Sequence, residues 1–588
     1  RFKDGSIVEA VVWKGQQGSS RHFIVEEVAR HVLARHDPVR CGGTEGRQRV
    51  RYCGNQLLQL VTVGGDQGNG KVLDDDDSLT RSAVMALDKL QEMIKSLEGV
   101  PLRVESLQAC TPLLRYTSLL PPCPHPLAFS PQAIGDSPHP PRKDYEGKIS
   151  TQVEAIEVLL RMEGSGRWPQ ELGAVRDTNT AFLIRIAQCL RKQHKLRCIV
   201  GRDCLDVVTG GYCFRLRVTG QREIDGLKRL NPKPAFGLTV RVAYRWLEAH
   251  MLDGHIRQEA LELLVASLFS ASTPGALSAP ASPLSGFLRF LVLLSSHDWS
   301  GSPLVVDPQG ELSAKDLEDA FSAFERMRDR APDGGPAMYL VAPYARDSDW
   351  APYWTYGRVP MPEKAVLGRV VALALASSTS LIGWLSGRVG GWQTVFRLSP
   401  EEHRGFDVRL LLNPALVKDP KLLLDGEETF FARRIKGCSA MRMKPYKNLN
   451  WKSNQNIESG KGNNHADIED ESALSSTLLF GFDPVGGFVK ELRMRFGHLA
   501  VFFSPGEAGG QGEVGLVWRP SAFLPRPLSV MHARHCVLVG GEANKVKGEG
   551  GKGGGVLMVP AVSEVLGEIL EMGGDLITRI HLCGQGVN

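Results

Sequence analysis

The sequence predicts a multidomain protein of the α+β class. It has 588 residues, and at roughly 150 residues per domain this length predicts three to five domains. Hydrophobic residues make up 42% of the chain and charged residues 23%. This balance excludes a wholly disordered, a fibrous or a polytopic membrane protein. Helical and strand-like periodicities occur along the whole chain, without an internal repeat of about 20–50 residues.

The first segment, residues 1–230, is predicted to mix strands with amphipathic helices. Gly64–Asp77 is rich in glycine and ends in four aspartates, which indicates a loop, and Ser78 is predicted to cap the next helix. Helices are predicted at Arg21–His36, Leu79–Leu97 and Thr178–Gln193. Strands are predicted at Ile7–Trp13, Pro101–Leu107 and Val153–Leu160, and a hairpin at Leu205–Val208 and Tyr212–Val218.

The second segment, residues 231–391, begins at the proline-rich Asn231–Pro234 and is predicted to be mainly helical. Its predicted helices are Gly237–His250, Ile256–Phe269, Gly286–Ser295, Ser313–Arg330 and 363–385, with short strands at Leu304–Val306 and Ala337–Ala342. The apolar run Val370–Leu385 is shorter than the ~20 residues that span a membrane, so it predicts a buried helix.

The third segment, residues 392–588, is predicted to alternate strands and helices. Strands are predicted at Val408–Asn413, 478–482, Leu499–Phe503 and Val514–Trp518, and helices at Lys490–Phe496 and Ser563–Met572. Residues 436–470 are polar and residues 540–555 are glycine-rich, so both predict flexible insertions.

The ends and the cysteines of the chain indicate its cellular context. Eleven scattered cysteines without a C-x-x-C pair favour reduced thiols in the cytosol or nucleus. The chain starts at Arg1 rather than at a methionine, which suggests the C-terminal part of a longer protein.

Two short patterns could carry nucleotidyl transfer, which uses carboxylates that hold Mg²⁺ ions about 3.5–4 Å apart. Gly334-Gly335 precedes Asp347 and Asp349 at the spacing of a nucleotidyltransferase, but the acids follow a strand that ends in proline and are predicted to lie in a loop. Gly164-Ser165 precedes Asp177, where the second acid is replaced by Asn179. We therefore predict no catalytic and no metal-binding residue.

Charge is concentrated in two stretches, although the whole chain carries only +5. Residues 185–233 contain twelve basic and four acidic residues, and residues 433–461 contain eight basic residues and one acidic residue. Such stretches suit contact with phosphates, and the second also offers Tyr446 and Trp451 for stacking on bases. A solubilising surface or a nuclear-import signal would have the same composition. The candidate RNA-binding residues are Arg191, Lys192, Lys195, Arg197, Arg433, Arg434, Lys436, Arg442, Lys444 and Lys447.

Short strings distributed over nearly the whole chain support an assignment to a family. They are Arg1–Ile7 with Glu9–Trp13, Leu114–Ser118, Glu163–Pro169, Gly211–Arg217, Ser285–Leu291 with His297–Trp299, Phe480–Pro484, Phe496–Phe503 and Val517–Pro520. In this order and spacing the sequence resembles the Nrap family, the nucleolar RNA-associated proteins of the small-subunit processome.

The resemblance implies three domains: a nucleotidyltransferase-like domain at 1–230, a helical domain like those of poly(A) polymerase and oligoadenylate synthetase at 231–391, and a mixed α/β domain at 392–588. These would be the fourth, fifth and sixth family domains. It also implies that the catalytic carboxylates have been lost, and no cofactor is expected. An active nucleotidyltransferase using Asp347 and Asp349 and a pure protein-interaction platform stay open as alternatives.

The resemblance further implies a nucleolar scaffold that supports pre-ribosomal RNA processing and 18S rRNA maturation. The expected partners are pre-ribosomal RNA, another rRNA-processing protein and casein kinase II, and no membrane is expected to be involved.

Overall fold

The structure is a computed structural model. It describes residues 28, 31, 72–109, 111–115, 117–119, 122, 124, 125, 128, 152–163, 172–201, 203–218, 235–269, 279–307, 310–330, 335–352, 354, 355, 362–387, 391–397, 405–413, 479, 480, 483–504, 512–527, 536–539 and 557–583.

The first segment contains a five-stranded mixed sheet with two long helices on one face. The sheet strands are β1 (Val104–Ala109), β3 (Ala155–Met162), β4 (Arg197–Val200), β5 (Leu205–Thr209) and β6 (Tyr212–Val218).

The strand order in this sheet is β1-β3-β6-β5-β4, in which β3 and β6 are parallel and the other neighbours are antiparallel. Helices α1 (Val72–Lys95) and α2 (Leu172–Gln193) supply the apolar layer against it. Buried residues of α1, α2 and the strands form one core, including Leu87, Leu90, Leu183, Ile186, Val158, Leu160, Phe214 and Leu216. Burying each large apolar side chain contributes about 1.5–3 kcal/mol.

One element of the first segment differs from the prediction. Helix α1 begins at Val72, so Asp74–Asp77 lie in its first turns, and the loop predicted there and the predicted cap at Ser78 are wrong. The first part of the predicted loop, residues 64–71, lies outside the described residues. Acidic residues are favourable near a helix N-terminus because they complement the helix dipole. A run of aspartates is therefore as compatible with a helix start as with a loop. The predicted strand Ile7–Trp13 and most of the predicted helix Arg21–His36 lie outside the described residues.

The second segment packs helices α3 (Phe236–Ala249), α4 (Gln258–Ser267), α5 (Pro283–Ser296), α6 (Ala314–Arg330) and α7 (Lys364–Leu385). A short parallel pair, β7 (Leu304–Val305) and β8 (Leu340–Val341), accompanies them. Helix α5 starts at a capping box in which Ser282 and Ser285 satisfy each other's backbone N–H groups. Trp246, Phe287 and Phe290 fill the centre, where Trp246 Nε1 donates to Ser377 Oγ of α7 at 2.9 Å.

Helix α7 confirms the predicted helix over the longest apolar run, but only one of its faces is buried. By length and composition it is the one described helix that could cross a membrane. Val370, Leu373, Ala374 and Leu381 belong to the core of the second segment, so the helix is a structural part of that core. The opposite face is exposed, which the prediction of a buried helix did not anticipate.

The third segment has a four-stranded antiparallel sheet, which consists of β9 (Val408–Leu412), β11 (Ala500–Phe503), β12 (Glu513–Trp518) and β16 (Ile577–Leu582). The strand order is β11-β12-β9-β16. Helices α8 (Pro484–Phe496) and α9 (Val562–Gly573) complete a core with one face of this sheet. A smaller sheet holds β13 (Arg526–Pro527), β14 (Cys536–Val539) and β15 (Leu557–Pro560).

The three segments contact one another through strand pairing and through shared core residues. Strand β2 (Gln152–Val153) of the first segment pairs in parallel with β10 (Leu479–Phe480) of the third. Phe406, Val501 and Phe503 of the third segment belong to the core of the second. The structure thus confirms the α+β class. The predicted insertions at 436–470 and 540–555 lie outside the described residues.

Candidate functional site

The sheet of the first segment has a face with charged side chains opposite the helices. Successive strand residues point to opposite sides of a sheet, so the residues that alternate with the core on β3, β5 and β6 lie on this face. Together with Glu105 of β1 they form what we call the charged sheet face: Glu105, Glu157, Arg161, Asp206, Arg215 and Arg217.

Arg215 lies at the centre of the charged sheet face. Its register position is opposite Glu157 on β3 and opposite Asp206 on β5. Its Nε donates to Asp206 Oδ1 at 2.8 Å and its Nη2 to Asp206 Oδ2 at 2.9 Å, a two-pronged ion pair in which Asp206 is buried. These hydrogen bonds raise the pKa of Arg215 above its ordinary value, so it stays charged.

The other two carboxylates of the face are also held by arginines. Arg217 Nε lies 3.0 Å from Glu157 Oε2, and Arg161 Nε lies 2.8 Å from Glu105 Oε2. All three carboxylates of the charged sheet face therefore have a cation as their partner. A divalent metal would have to displace an arginine to reach any of them, and the neighbouring guanidinium groups would repel it.

The structure offers no alternative metal centre among the residues it describes, where no group of three or more His, Cys, Asp or Glu side chains could hold an ion. Nor are the cysteines near the sheet activated. Burial raises the pKa of the Cys198 thiol to about 12 and that of Cys213 further still. Both thiols are therefore protonated at neutral pH and are poor nucleophiles and metal ligands.

The acids of the two nucleotidyltransferase-like patterns are not part of the charged sheet face. Asp347 lies in a short 3₁₀ helix, Pro343–Ser348, and Asp349 follows it with a left-handed backbone, φ 51°. Asp349 is 83% exposed and pairs with Arg326 at 3.0 Å. Asp177 is exposed on α2, and Gly164-Ser165 lie outside the described residues. The alternative of Asp347 and Asp349 as metal ligands on a strand is therefore not supported.

Four of the predicted RNA-binding residues are described, and three of them lie together. Arg191 and Lys192 occupy the last turn of α2, and Lys195 follows with a left-handed backbone at φ 53°. All three are exposed, while Arg191 Nη2 also donates to Cys198 O at 2.7 Å. Arg197 is different, because it is a half-buried residue of β4 whose pKa is lowered by burial.

Helix α1 brings one further basic residue, Lys95, to the same place, and Arg185 of α2 also lies there. Gln193 and Glu98 exchange two hydrogen bonds, from Gln193 Nε2 to Glu98 O at 2.8 Å and from Glu98 N to Gln193 Oε1 at 3.3 Å. Arg185 Nε donates to Gly99 O at 2.9 Å. The two helix ends thereby meet, and we call the resulting surface the basic corner: Lys95, Arg185, Arg191, Lys192 and Lys195.

Sequence reasoning missed two members of the basic corner. Arg185 lay in the basic stretch but was not a candidate, and Lys95 is distant in sequence, with no local signal beyond its place in the last turn of a helix. Basic residues near helix C-termini also stabilise the helices themselves, since they complement the dipole. The candidates Arg433, Arg434, Lys436, Arg442, Lys444 and Lys447 lie outside the described residues.

Four family models match consecutive parts of the chain. The Nrap protein nucleotidyltransferase domain 4 matches residues 56–235, and the Nrap protein PAP/OAS1-like domain 5 matches residues 233–397. Nrap protein domain 6 matches residues 404–580, and Nrap protein domain 3 matches residues 1–37. The first segment thus has a nucleotidyltransferase-like fold by both its sheet and its sequence.

Curated relatives align with nearly all of the chain. Nucleolar protein 6 of Homo sapiens is 30% identical over 623 residues, which cover 99% of this chain and 48% of that protein. Nucleolar protein 6 of Xenopus tropicalis is 28% identical over 631 residues, with the same coverage. The chain therefore spans about half the length of these relatives.

Solved structures overlap with the chain only loosely. E. coli MS115-1 CdnC with ATP shares 13% identity and a TM-score of 0.34, and the overlap covers 59% of this chain and 98% of CdnC. The mtPAP complex with UTP shares 12% identity and a TM-score of 0.26, over 41% of this chain and 61% of mtPAP. Overlaps this loose support no conclusion about the site.

Proposed function

The chain belongs to the Nrap family, and on that basis we propose that it is a non-catalytic, RNA-binding scaffold of ribosome biogenesis. It is a nuclear protein of the nucleolus, as its relatives are. Within the proposal, the scaffold works in the small-subunit processome and supports pre-rRNA processing and 18S rRNA maturation. Its proposed partners are pre-ribosomal RNA, another rRNA-processing protein and casein kinase II.

The charged sheet face is the observation that carries the non-catalytic part of the proposal. Nucleotidyl transfer needs unpaired carboxylates that bind metal ions and neutralise developing charge. Here the buried carboxylate of Asp206 is bound by Arg215, and Glu157 is bound by Arg217. The first segment has a nucleotidyltransferase-like fold, but the acids of the charged sheet face are paired with arginines and are not free to support turnover.

A transfer assay tests the absence of catalysis. The chain is incubated with labelled ATP, Mg²⁺ or Mn²⁺ and a short single-stranded RNA, and we expect no extension of the RNA above a protein-free control. An extension that Asp206→Asn or Asp347→Ala abolishes would contradict the proposal and establish the enzyme alternative. A trace activity that both variants retain would come from a contaminant if a mock purification without the chain reproduced it.

The basic corner is the described surface on which RNA binding can be tested. Replacing Lys95, Lys192 and Lys195 by alanine removes three cations that could neutralise phosphates. We expect the Kd for a short single-stranded RNA to rise about tenfold. The slope of log Kd against log salt should also fall by about 2, at roughly 0.7 for each lost contact. Fluorescence anisotropy at four salt concentrations measures both quantities.

Matched alanine substitutions elsewhere supply the control. Lys315, Arg330 and Lys490 are exposed basic residues of α6 and α8. Their triple alanine variant loses the same charge and should bind RNA nearly as well as the wild type. Equal losses in both variants would show that only net charge matters. If RNA crosslinking recovered no peptides from residues 185–233 or 433–461, and affinity showed no salt dependence, the pure protein-interaction platform would be favoured.

A further inference from the structure

Two arginines of the basic corner are held in place by backbone carbonyl groups. Arg185 Nε donates to Gly99 O at 2.9 Å, and its Nη1 donates to Gln188 Oε1 at 3.3 Å. Arg191 Nη2 donates to Cys198 O at 2.7 Å, on the edge strand β4. The carbonyl groups of Gly99 and Cys198 are thereby covered by guanidinium groups, which stay charged. The corner therefore presents fixed positive charge to the solvent.

The described part of the first segment offers no exposed ring on which a base could stack. It contains three Phe, Tyr or Trp side chains, and none of them is exposed. Tyr212 and Phe214 are buried in β6, and Phe182 of α2 packs against the same core. His194, at the end of α2, is half-buried, and its Nε2 has no contact with solvent. Stacking on aromatic side chains contributes about 1–3 kcal/mol per base when proteins bind single strands, and the basic corner lacks this contribution.

The amide side chains at the basic corner are engaged within the protein. Gln193 uses both its Oε1 and its Nε2 on the backbone of Glu98, and Gln188 Oε1 accepts from Arg185. Reading a base edge takes hydrogen-bonding groups that can match the donors and acceptors of that base. These amides are instead fixed by the fold. The corner is therefore suited to contact with phosphates and poorly suited to reading bases.

Recognition through phosphates alone favours the form of RNA with the highest charge density. A double helix carries two strands of phosphates along one axis, so more of them lie within reach of a compact group of cations. Double-stranded RNA is recognised mostly by its shape and its backbone, because its deep major groove is closed to side chains. A single strand is usually held by its unstacked bases, and a surface without exposed rings gives those bases little in return.

We propose that the basic corner binds the phosphate backbone of double-helical RNA, whatever its base sequence. The inference rests on the RNA-binding role proposed above and names the form of RNA that this surface takes. Lys95, Lys192 and Lys195 are its exposed ammonium groups. Glu98 is an exposed acidic residue at the same place, and only its backbone groups bind Gln193. The carboxylate of Glu98 therefore repels phosphates and weakens binding.

Paired binding measurements test the preference for a double helix. The probes are a fluorescein-labelled RNA duplex of about 16 base pairs, the span of a double-stranded RNA-binding domain, and an oligouridylate of the same length. For the triple alanine variant of Lys95, Lys192 and Lys195, we expect the Kd for the duplex to rise about thirtyfold, against about tenfold for the single strand. The slope of log Kd against log salt should fall by about 2.7 on the duplex, at roughly 0.9 for each lost contact. An equal or smaller loss on the duplex would overturn the inference and leave the proposed function intact. Binding to neither RNA would overturn both.

Two further variants separate charge from structure. Glu98→Gln removes the carboxylate but keeps the backbone groups that bind Gln193, so affinity for the duplex should rise about threefold. Replacing Lys95, Lys192 and Lys195 by arginine keeps the three charges and should leave the Kd for the duplex within about twofold of the wild type. Thermal melting checks that each variant is folded. No gain in the Glu98 variant, or a loss in the arginine variant equal to that in the alanine variant, would overturn the inference.

Further probes test the independence of sequence and the kind of double helix. A G·C-rich and an A·U-rich RNA duplex should bind with Kd values within about twofold of each other. A difference of about tenfold between them would overturn the inference, since bases would then be read. A DNA duplex that bound about tenfold more tightly than the RNA duplex would also overturn it. The triple alanine variant of Lys315, Arg330 and Lys490 is again the matched control and should bind the RNA duplex nearly as well as the wild type.

Discussion

Asp206 and Glu157 show how burial changes the contribution of an arginine–carboxylate ion pair to stability. Asp206 and its partner Arg215 have side chains that are 10% and 20% exposed, whereas Glu157 and Arg217 are 45% and 47% exposed. Exposed pairs contribute about 0–1 kcal/mol, because water screens them and holding two side chains costs entropy. Breaking a largely buried pair leaves an uncompensated charge in a poorly solvated place.

We therefore expect Asp206→Ala to destabilise the first segment by about 2–4 kcal/mol, and Glu157→Ala to have an effect below about 1 kcal/mol. Urea unfolding followed by near-UV circular dichroism measures the difference. Comparable losses in the two variants would contradict this assignment. Arg215→Met in the Asp206→Ala background should recover part of the loss, because it removes the cation that has lost the Asp206 carboxylate.

At this scale the sequence revealed the residues but not their partners. The alternation of apolar and charged residues in Gly211–Arg217 predicts a strand with two arginines on one side. That Asp206 lies opposite Arg215 depends on the register of the β5–β6 hairpin, in which Thr209 pairs with Tyr212. A shift of one residue would place Asp206 on the other face of the sheet. Glu157 belongs to a strand distant in sequence, so no local pattern could place it beside β6.

Among the elements, the turn between α3 and α4 joins the second segment to strand β11 of the third. His255 Nε2 lies 2.9 Å from Phe502 O, and Arg493 Nη2 donates to the same carbonyl at 3.1 Å. Burial lowers the pKa of His255 to about 3, and the nearby Arg493, Arg369 and Arg519 lower it as well. The imidazole therefore stays neutral while this contact is intact.

This histidine makes the contact sensitive to acid. In the unfolded chain His255 binds a proton near pH 6.5, whereas in the folded protein it does so only near pH 3. The contribution of neutral His255 to the free energy of unfolding is therefore complete above pH 6.5. It is lost as the pH falls from there towards 3, by up to about 1.4 kcal/mol per pH unit.

We expect His255→Gln to flatten the dependence of the melting temperature on pH between pH 6.5 and 4. Differential scanning fluorimetry across this range measures it. His581→Gln, in the exposed edge strand β16, is the control and should leave the profile unchanged. An unaltered profile in the His255 variant would show that other groups determine the acid sensitivity.

Most helices and strands could be predicted from local periodicity, with ends that shifted by a few residues. Helix α2 begins at Leu172 rather than at Thr178, and the strand predicted at Ala337–Ala342 is reduced to Leu340–Val341. In the second case buried residues such as Met338 and Tyr339 gave a strand-like pattern, although only two residues find a neighbouring strand. Burial alone does not create a ladder of hydrogen bonds.

On the scale of the whole molecule, a buried carboxylate joins the first and second segments. Glu262 of α4 is fully buried and accepts from Thr117 Oγ1 at 2.6 Å and from Arg115 Nη2 at 3.0 Å. We expect Glu262→Ala to cost about 3–5 kcal/mol, because Arg115 would lose its carboxylate at a buried site. Hydrogen exchange at residues 112–119 should rise. Glu262→Gln keeps the size of the side chain and one hydrogen-bond acceptor, so it should cost less stability than Glu262→Ala. Equal hydrogen exchange in the two variants would contradict a role for the charge of Glu262.

The pairing of β2 with β10 has a consequence for how the protein is made. Its two strands are separated by more than half of the chain, yet each contributes only two residues. At about 5–20 residues per second, the ribosome needs roughly 15–65 seconds to deliver β10 after β2 has emerged. During that time the edge at Gln152–Val153 lacks its partner strand. The newly synthesised first segment is thus a candidate client for chaperones until the third segment arrives.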